Sequence, residues 1–287
     1  EGIDDAAVDV ADHPLALPLL VGQDQPAQDT SGPFAVVTGL VLIGVRHFQD
    51  TAGGVALGTL YLLLPYTAYH VAQFHIVWPA AFVTWAVYCY RRPALAGWLL
   101  GVGAGSAFVP LLLFPVWASF YARRGLGRFA GSFATALAVT LGVIAAVLWW
   151  DGWLSNGLSW DALTDWLPWK RAVGESLWTG VHWAYRLPIF VLYVGFLVAV
   201  TIWPSPKDVS HLVALSAAVL VGVQFWHADR GGVYVLWYLP LVLLMVFRPN
   251  LAGLSPPAAE AGGGLLAWAW RRVRPARAAA TSNELAV

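Results

Sequence analysis

The chain is short of charge. Only 11% of its 287 residues are Asp, Glu, Lys or Arg, whereas a soluble domain carries about a quarter. Formal net charge is +0, so no basic surface calls for nucleic acid as a partner. The single cysteine, Cys89, excludes a disulfide framework and a thiolate metal site. A starting methionine and a signal-peptide pattern are also missing, since the chain opens at Glu1. The expectation that follows is a C-terminal piece of a longer protein, with further membrane spans before Glu1.

What is present is apolar. Hydrophobic residues make up 59% of the chain, and the mean hydropathy is +0.65. Tryptophan is abundant, at 17 residues, which suits a chain that meets water–lipid interfaces. The predicted fold is all-α: a polytopic transmembrane bundle of about seven spans plus a broken-helix hairpin. Its expected partners begin with the lipid bilayer.

The hairpin is predicted from residues 94–121. This run of about 28 residues exceeds the roughly 20 needed for one crossing. Arginine pairs flank it, Arg91-Arg92 before and Arg123-Arg124 after. Clustered arginines stay on the cytoplasmic side, and one crossing cannot put both pairs there. Two shorter helices meeting near Gly103-Ala104-Gly105-Ser106 and Pro110 can, because glycine and proline are where membrane helices break.

The remaining spans thread around it. Residues 1–33 hold Asp4, Asp5, Asp9, Asp12, Asp24 and Asp29 without one Lys or Arg, and are expected outside. A first span, Pro33 to Val45, ends inside at Arg46-His47, and Gly53-Gly54 is expected to make the turn. Val55 to Tyr69 crosses outward, and an outer link (residues 66–74) leads to Phe74–Tyr90, which returns to Arg91-Arg92. After the hairpin, Phe129 to Trp150 crosses outward again. An outer loop (151–186) follows, dense in tryptophan and expected to lie ordered on the membrane surface. Leu187–Trp203, Val209–Phe225 and Val233–Phe247 complete the spans, with an outer turn at 226–232 and breakers at Pro204 and Pro206. The domains are thus an outer segment (1–33), a transmembrane domain (34–248) and an Arg-, Pro- and Ala-rich cytoplasmic tail (249–287).

Candidate functional residues are the polar ones on the outer side. Asp9 and Asp12, three apart, share a face if helical; Asp4 and Asp5 are adjacent and diverge. The basic side chains there are Lys170, Arg171, Arg186 and Arg230, which run against the charge bias. Arg186 stands at the start of a span, where it can either snorkel to ordinary headgroups or hold a ligand's phosphate. His70, Gln73 and His75 fall in one outer turn, and His227 and Asp229 in another. Brought together, the two turns would form a polar cup above the hairpin. Their spacing matches no metal-ligand motif. Helix-end capping is the plainer role for them.

The order Gln73, a span, Arg91-Arg92-Pro93, Ala96-Gly97…Gly101, and Pro110-Leu-Leu-Leu-Phe-Pro115 before further arginines resembles the GT-C class of integral-membrane glycosyltransferases. The resemblance is to mannosyltransferase-like members using polyprenyl-phosphate sugars, and it covers about residues 50–130. It implies transfer of a hexose from a lipid-linked donor to a glycan or lipid acceptor on the outer face. A carboxylate would be the base (Asp4, Asp5, Asp9 or Asp12, or one upstream of Glu1). A cation among Arg186, Arg230, Lys170 and Arg171 would hold the donor phosphate. His70, Gln73, His75, His227 and Asp229 would line the substrate site. No tightly bound cofactor is implied, and a divalent metal is left open. The chain departs from many relatives before Pro110, where it reads Ser106-Ala107-Phe108-Val109 in place of a lysine. Its ending, from Trp226-His227 to Pro249-Asn250, resembles bacterial membrane proteins, so the expected location is a bacterial inner membrane, multi-pass. A transporter or flippase, or a non-catalytic envelope subunit, is the alternative. Broken helices favour the transporter, while the lack of Asp, Glu, Lys or Arg inside the spans from Phe129 to Phe247 opposes it.

Overall fold

A computed structural model describes residues 31–65, 67, 74–122, 124–150, 178–227, 235–246 and 254, with side chains in the segment starting at Phe74 described from Val77 onward. Every regular element described is helical. In chain order they are α1 (Ser31–Ile43), running on as a π-helical turn (Gly44–Phe48), α2 (Thr51–Leu63), α3 (Phe74–Tyr88) and α4 (Pro93–Ser106). A 3₁₀ turn (Val109–Leu113) leads into α5 (Phe114–Tyr121) and α6 (Leu126–Trp150); a second (Trp183–Tyr185) leads into α7 (Arg186–Ile202), then α8 (Val209–Trp226) and α9 (Val235–Val246). Among the described residues, four stretches are long and apolar enough to cross a membrane: Ser31–Phe48, Leu126–Trp150, Trp183–Ile202 and Val209–Trp226. That marks the chain as a membrane protein. The other apolar helices run to 10–17 residues, less than the roughly 20 of a full crossing.

Glycines set how the helices pair. Gly97 of α4 sits against the Phe129 carbonyl, Gly101 against the Phe133 carbonyl and Gly105 against Thr140. Residue numbers rise together along both helices, so α4 and α6 run parallel and start at the same end. At that end Gly125, with φ +103°, lies against Pro93. The chain between Ser106 and Gly125 must therefore travel back along the bundle. That return is the hairpin.

Its return limb is pinned along its length. Phe114 packs on Phe129 and Phe133, with ring centroids 6.0 and 4.8 Å apart. Trp117 stacks on Phe129 at 6.3 Å and donates its indole N–H to Ser216 Oγ at 3.1 Å. At the base, the Tyr121 hydroxyl donates to the Tyr90 carbonyl at 2.6 Å. Each limb, 14 residues outward and 13 back, is about 20 Å long. α6 continues about 15 Å beyond Thr140, where the hairpin tip meets it.

The break itself lies a little later than the glycine run suggests. Gly103 to Ser106 remain helical, and Ala107 is the first extended residue, at φ −150° and ψ 140°. Pro110, which brings no backbone N–H, then fits the tight 3₁₀ turn. Gly53 and Gly54 do not turn the chain as expected. They lie inside α2, and Gly54 presses on Gly44 of the π-helical turn; a side chain at Gly54 or Gly44 would separate two helical segments in backbone contact. The turn is made by Gln49, at φ 54°, and Asp50.

The other pairings agree with a common end. Gly32 meets Val77 and Gly39 meets Thr84, so α1 and α3 are parallel; Gly58 meets Val37 and Val41, so α2 returns antiparallel. Gly222 of α8 meets Tyr193 of α7, and the Tyr193 hydroxyl donates to Val219 O at 3.3 Å. Pro204 and Pro206 follow the end of α7, and Lys207 caps it, donating to Thr201 O at 2.9 Å and Pro204 O at 3.1 Å. Arg46, Arg91, Arg92, Arg124, Arg128 and Lys207 thus stand at one end, and the hairpin tip with Arg186 and Trp226 stands toward the other.

Candidate functional site at the hairpin tip

The tip is built from three segments. Ser106 Oγ bonds back to Gly103 O at 2.9 Å, closing α4. Phe108 follows the break and lies edge-on to His227 at 4.9 Å and to Trp226 at 6.5 Å. Trp226 is the last residue of α8 and 1% exposed. Its ring also meets Phe190 at 4.9 Å and Tyr193 at 5.8 Å.

A helix ending at Trp226 presents carbonyls with no partner inside the helix. The segment entering α7 supplies donors for two of them. Trp178 Nε1 donates to Phe225 O at 3.2 Å, and Arg186 Nε donates to Trp226 O at 2.9 Å. The guanidinium also complements the negative end of the α8 dipole. Arg186 is 3% exposed, so it does not snorkel to the surface. It stands as the first residue of α7, after a 3₁₀ turn in which His182 Nδ1 accepts from the Ala184 N–H at 3.3 Å.

Two donors in the last turn of α8 have no such match. Trp226 Nε1 and Gln224 Nε2 are buried without an acceptor among the described residues. A buried unpaired donor costs about 1–3 kcal/mol. An acceptor-rich group brought to this end would relieve both, in a place that already holds a guanidinium. Above the tip, α6 presents exposed Leu141, Val143, Ile144, Val147, Trp149 and Trp150. α6 therefore carries an exposed apolar face past the hairpin tip.

Of the residues expected from sequence, Arg186 and His227 meet here, joined through Trp226. His75 belongs to the first turn of α3, and its side chain is not among those described. Asp4, Asp5, Asp9, Asp12, His70, Gln73, Lys170, Arg171, Asp229 and Arg230 lie outside the described residues, as does most of the tryptophan-rich loop. No group of three His, Cys, Asp or Glu side chains gathers among the described residues. Sequence reasoning missed Gln224, Trp226 and Phe108. An amide near the end of an apolar span is a signal for the first; the other two stand in an outer turn and before Pro110 with no local sign that they meet. No family model, curated protein or solved structure matches the chain.

Proposed function

We propose that the chain takes part in moving a hexose from a polyprenyl-phosphate donor to an envelope glycan or lipid on the outer face of a bacterial inner membrane. The observation that carries this reading is the pair of unmatched buried donors, Trp226 Nε1 and Gln224 Nε2, in the turn that also receives Arg186. A phosphate offers several acceptor oxygens and a charge that a guanidinium matches. The exposed apolar face of α6 beside the tip suits an isoprenoid tail.

In the reaction, a base takes the acceptor hydroxyl proton as that oxygen bonds to the anomeric carbon. The bond from that carbon to the phosphate oxygen breaks, and polyprenyl phosphate leaves with the electron pair. Arg186, the indole N–H and the amide would stabilise the charge that develops there. Asp4, Asp5, Asp9 and Asp12 are the candidate bases within this chain, with Arg230, Lys170 and Arg171 as further cations.

The test is binding of a polyprenyl-phosphate hexose to the full-length protein in lipid nanodiscs, which needs no acceptor. Gln224→Leu removes the amide NH2 and Trp226→Phe the indole N–H, and each should weaken binding about tenfold. Unchanged binding by both well-folded variants sinks the reading. The broken hairpin favours a second reading, a lipid flippase. Movement of intact donor between leaflets of proteoliposomes, without cleavage, would select it.

A further inference from the structure

At the opposite end of the bundle, two chain turns meet around a short aromatic ledge, Tyr88-Cys89-Tyr90. The α1–α2 turn brings Arg46 and His47; the α3–α4 turn brings Arg91 and Arg92. The Arg46 guanidinium stands over the Tyr88 ring at 5.7 Å, and that of Arg91 over the Tyr90 ring at 5.7 Å. Arg91 Nε also donates to the Tyr90 hydroxyl at 3.0 Å. The Tyr88 and Tyr90 rings both pack on the His47 imidazole. The two ring-borne guanidiniums therefore gather about one imidazole, with Arg92 next in the chain to Arg91.

His47 locks the two turns together. It is 8% exposed, packs between Tyr88 and Tyr90 at 5.8 and 5.2 Å, and its Nε2 donates to Tyr88 O at 3.1 Å. Its Nδ1 is buried with no partner among the described residues. Arg46 rides on a π-helical turn that Gln49 ends at φ 54°, a local departure frequent at functional sites. Against the three guanidiniums stands one carboxylate of the same turns, Asp50. No ion pair joins it, or any other carboxylate, to Arg46, Arg91 or Arg92 among the described residues.

Like charges brought this close repel unless something negative joins them. Scattered arginines would satisfy the charge bias of a membrane protein equally well. Arg46 and Arg91, braced on rings, and Arg91 oriented by a hydroxyl as well, form with Arg92 a fork-rich surface instead. We propose that Arg46, Arg91 and Arg92 on the Tyr88–Tyr90 ledge bind a phosphate group, carried by an anionic lipid or by a soluble phosphate. This site is separate from the hairpin tip and does not rest on the reading given for it.

The test is native mass spectrometry of the full chain released from micelles, with phosphatidic acid or phosphatidylcholine added. Phosphatidic acid should be retained preferentially. Arg46→Gln and Arg91→Gln should each lower that retention about fivefold. Tyr90→Phe keeps the ring but loses the hydroxyl that orients Arg91, and should produce a smaller loss. Arg128→Gln, exposed at the same end, is the control for general positive charge and should change little. Competition by millimolar inorganic phosphate assigns the site to a soluble phosphate; retention despite it assigns the site to a lipid headgroup. Equal losses in Arg128→Gln and Arg91→Gln, or no loss in either arginine variant of the ledge, overturn the proposal. Should Arg46→Gln fold poorly, Arg91→Gln and Tyr90→Phe decide it.

Discussion

Arg186 Nε donates to the backbone carbonyl of Trp226, 2.9 Å away and 40 residues along the chain. One bond thus ties the start of α7 to the end of α8 beneath the hairpin tip. It gives Arg186 a structural duty as well as the phosphate-binding one proposed for it.

The two duties separate in measurement. Arg186→Ala leaves the Trp226 carbonyl without this donor in a buried place, which should cost about 1–3 kcal/mol of stability. Transfer per folded molecule should fall by one to two orders of magnitude, at about 1.4 kcal/mol per factor of ten. Arg186→Lys keeps a charge without the fork and should recover part of each. Thermal unfolding in micelles and turnover of lipid-linked donor check the two separately. Normal transfer by folded Arg186→Ala would remove the clamp and leave Lys170, Arg171 or Arg230.

The hairpin was legible in the sequence because two independent signals agree on it. Arginine pairs at both flanks demand an even number of limbs, and Pro110 marks a break. The partner of its first limb was not legible. Gly105 reads locally as part of the break and Gly97 and Gly101 only as part of a family resemblance, but the three are spaced for close contact with α6, and no local signal names a helix that begins only at Leu126. Gly53-Gly54 failed for the same reason: glycine serves a turn and a tight crossing equally. At the site, Arg186 stood out as a cation against the charge bias, whereas Trp226 and Gln224 gain meaning only from burial.

The glycine contact makes a sharp mutational contrast. A Cβ on Gly101 would lie 2.5 Å from Phe133 O, and one on Gly105 would lie 2.6 Å from Thr140 Cβ. Gly101→Ala and Gly105→Ala should each destabilise by about 1–3 kcal/mol through overpacking. Gly127 and Gly131, on the same α6, have nothing within 4 Å. Alanine there should be neutral or stabilising by up to about 1 kcal/mol, from helix propensity alone. Melting temperatures of the four variants test the contrast, and uniform effects would contradict the parallel pairing.

Lys207 closes the opposite end of α7 and is 7% exposed. Lys207→Met should cost about 1–3 kcal/mol, because the Thr201 and Pro204 carbonyls lose their ammonium donor. Burial holds the ammonium below its usual 10.5. The unfolded chain therefore keeps the proton to higher pH than the folded one. The burial penalty is present below the folded pKa and is relieved as pH rises from there toward 10.5. Relative to Lys207→Met, the native chain should gain stability across that alkaline window. A thermal series from neutral pH upward reads the slope, and a parallel response of both proteins would count against it.

The arrangement relative to a membrane follows from the pairing of α4 with α6. If the arginine-rich end is cytoplasmic, residues beside Arg92 and Arg124 lie on the same side although 28 residues of apolar sequence separate Arg92 from Tyr121 closely enough to suggest a crossing. Thr179, before α7, lies on the other side with the hairpin tip. Single cysteines at Arg92, Arg124 and Thr179 in a Cys89→Ala background put this to a test with a membrane-impermeant maleimide. In right-side-out vesicles Thr179→Cys should label, while Arg92→Cys and Arg124→Cys should label only after the membrane is opened. Inverted vesicles should reverse the pattern for all three. Labelling of Arg92→Cys and Arg124→Cys from opposite sides would mean that residues 94–121 cross once, which the contact of Gly125 with Pro93 does not allow. Each half of the result therefore bears on a different claim: agreement between the two arginine positions tests the hairpin, and the side on which they agree tests the charge rule that orients it.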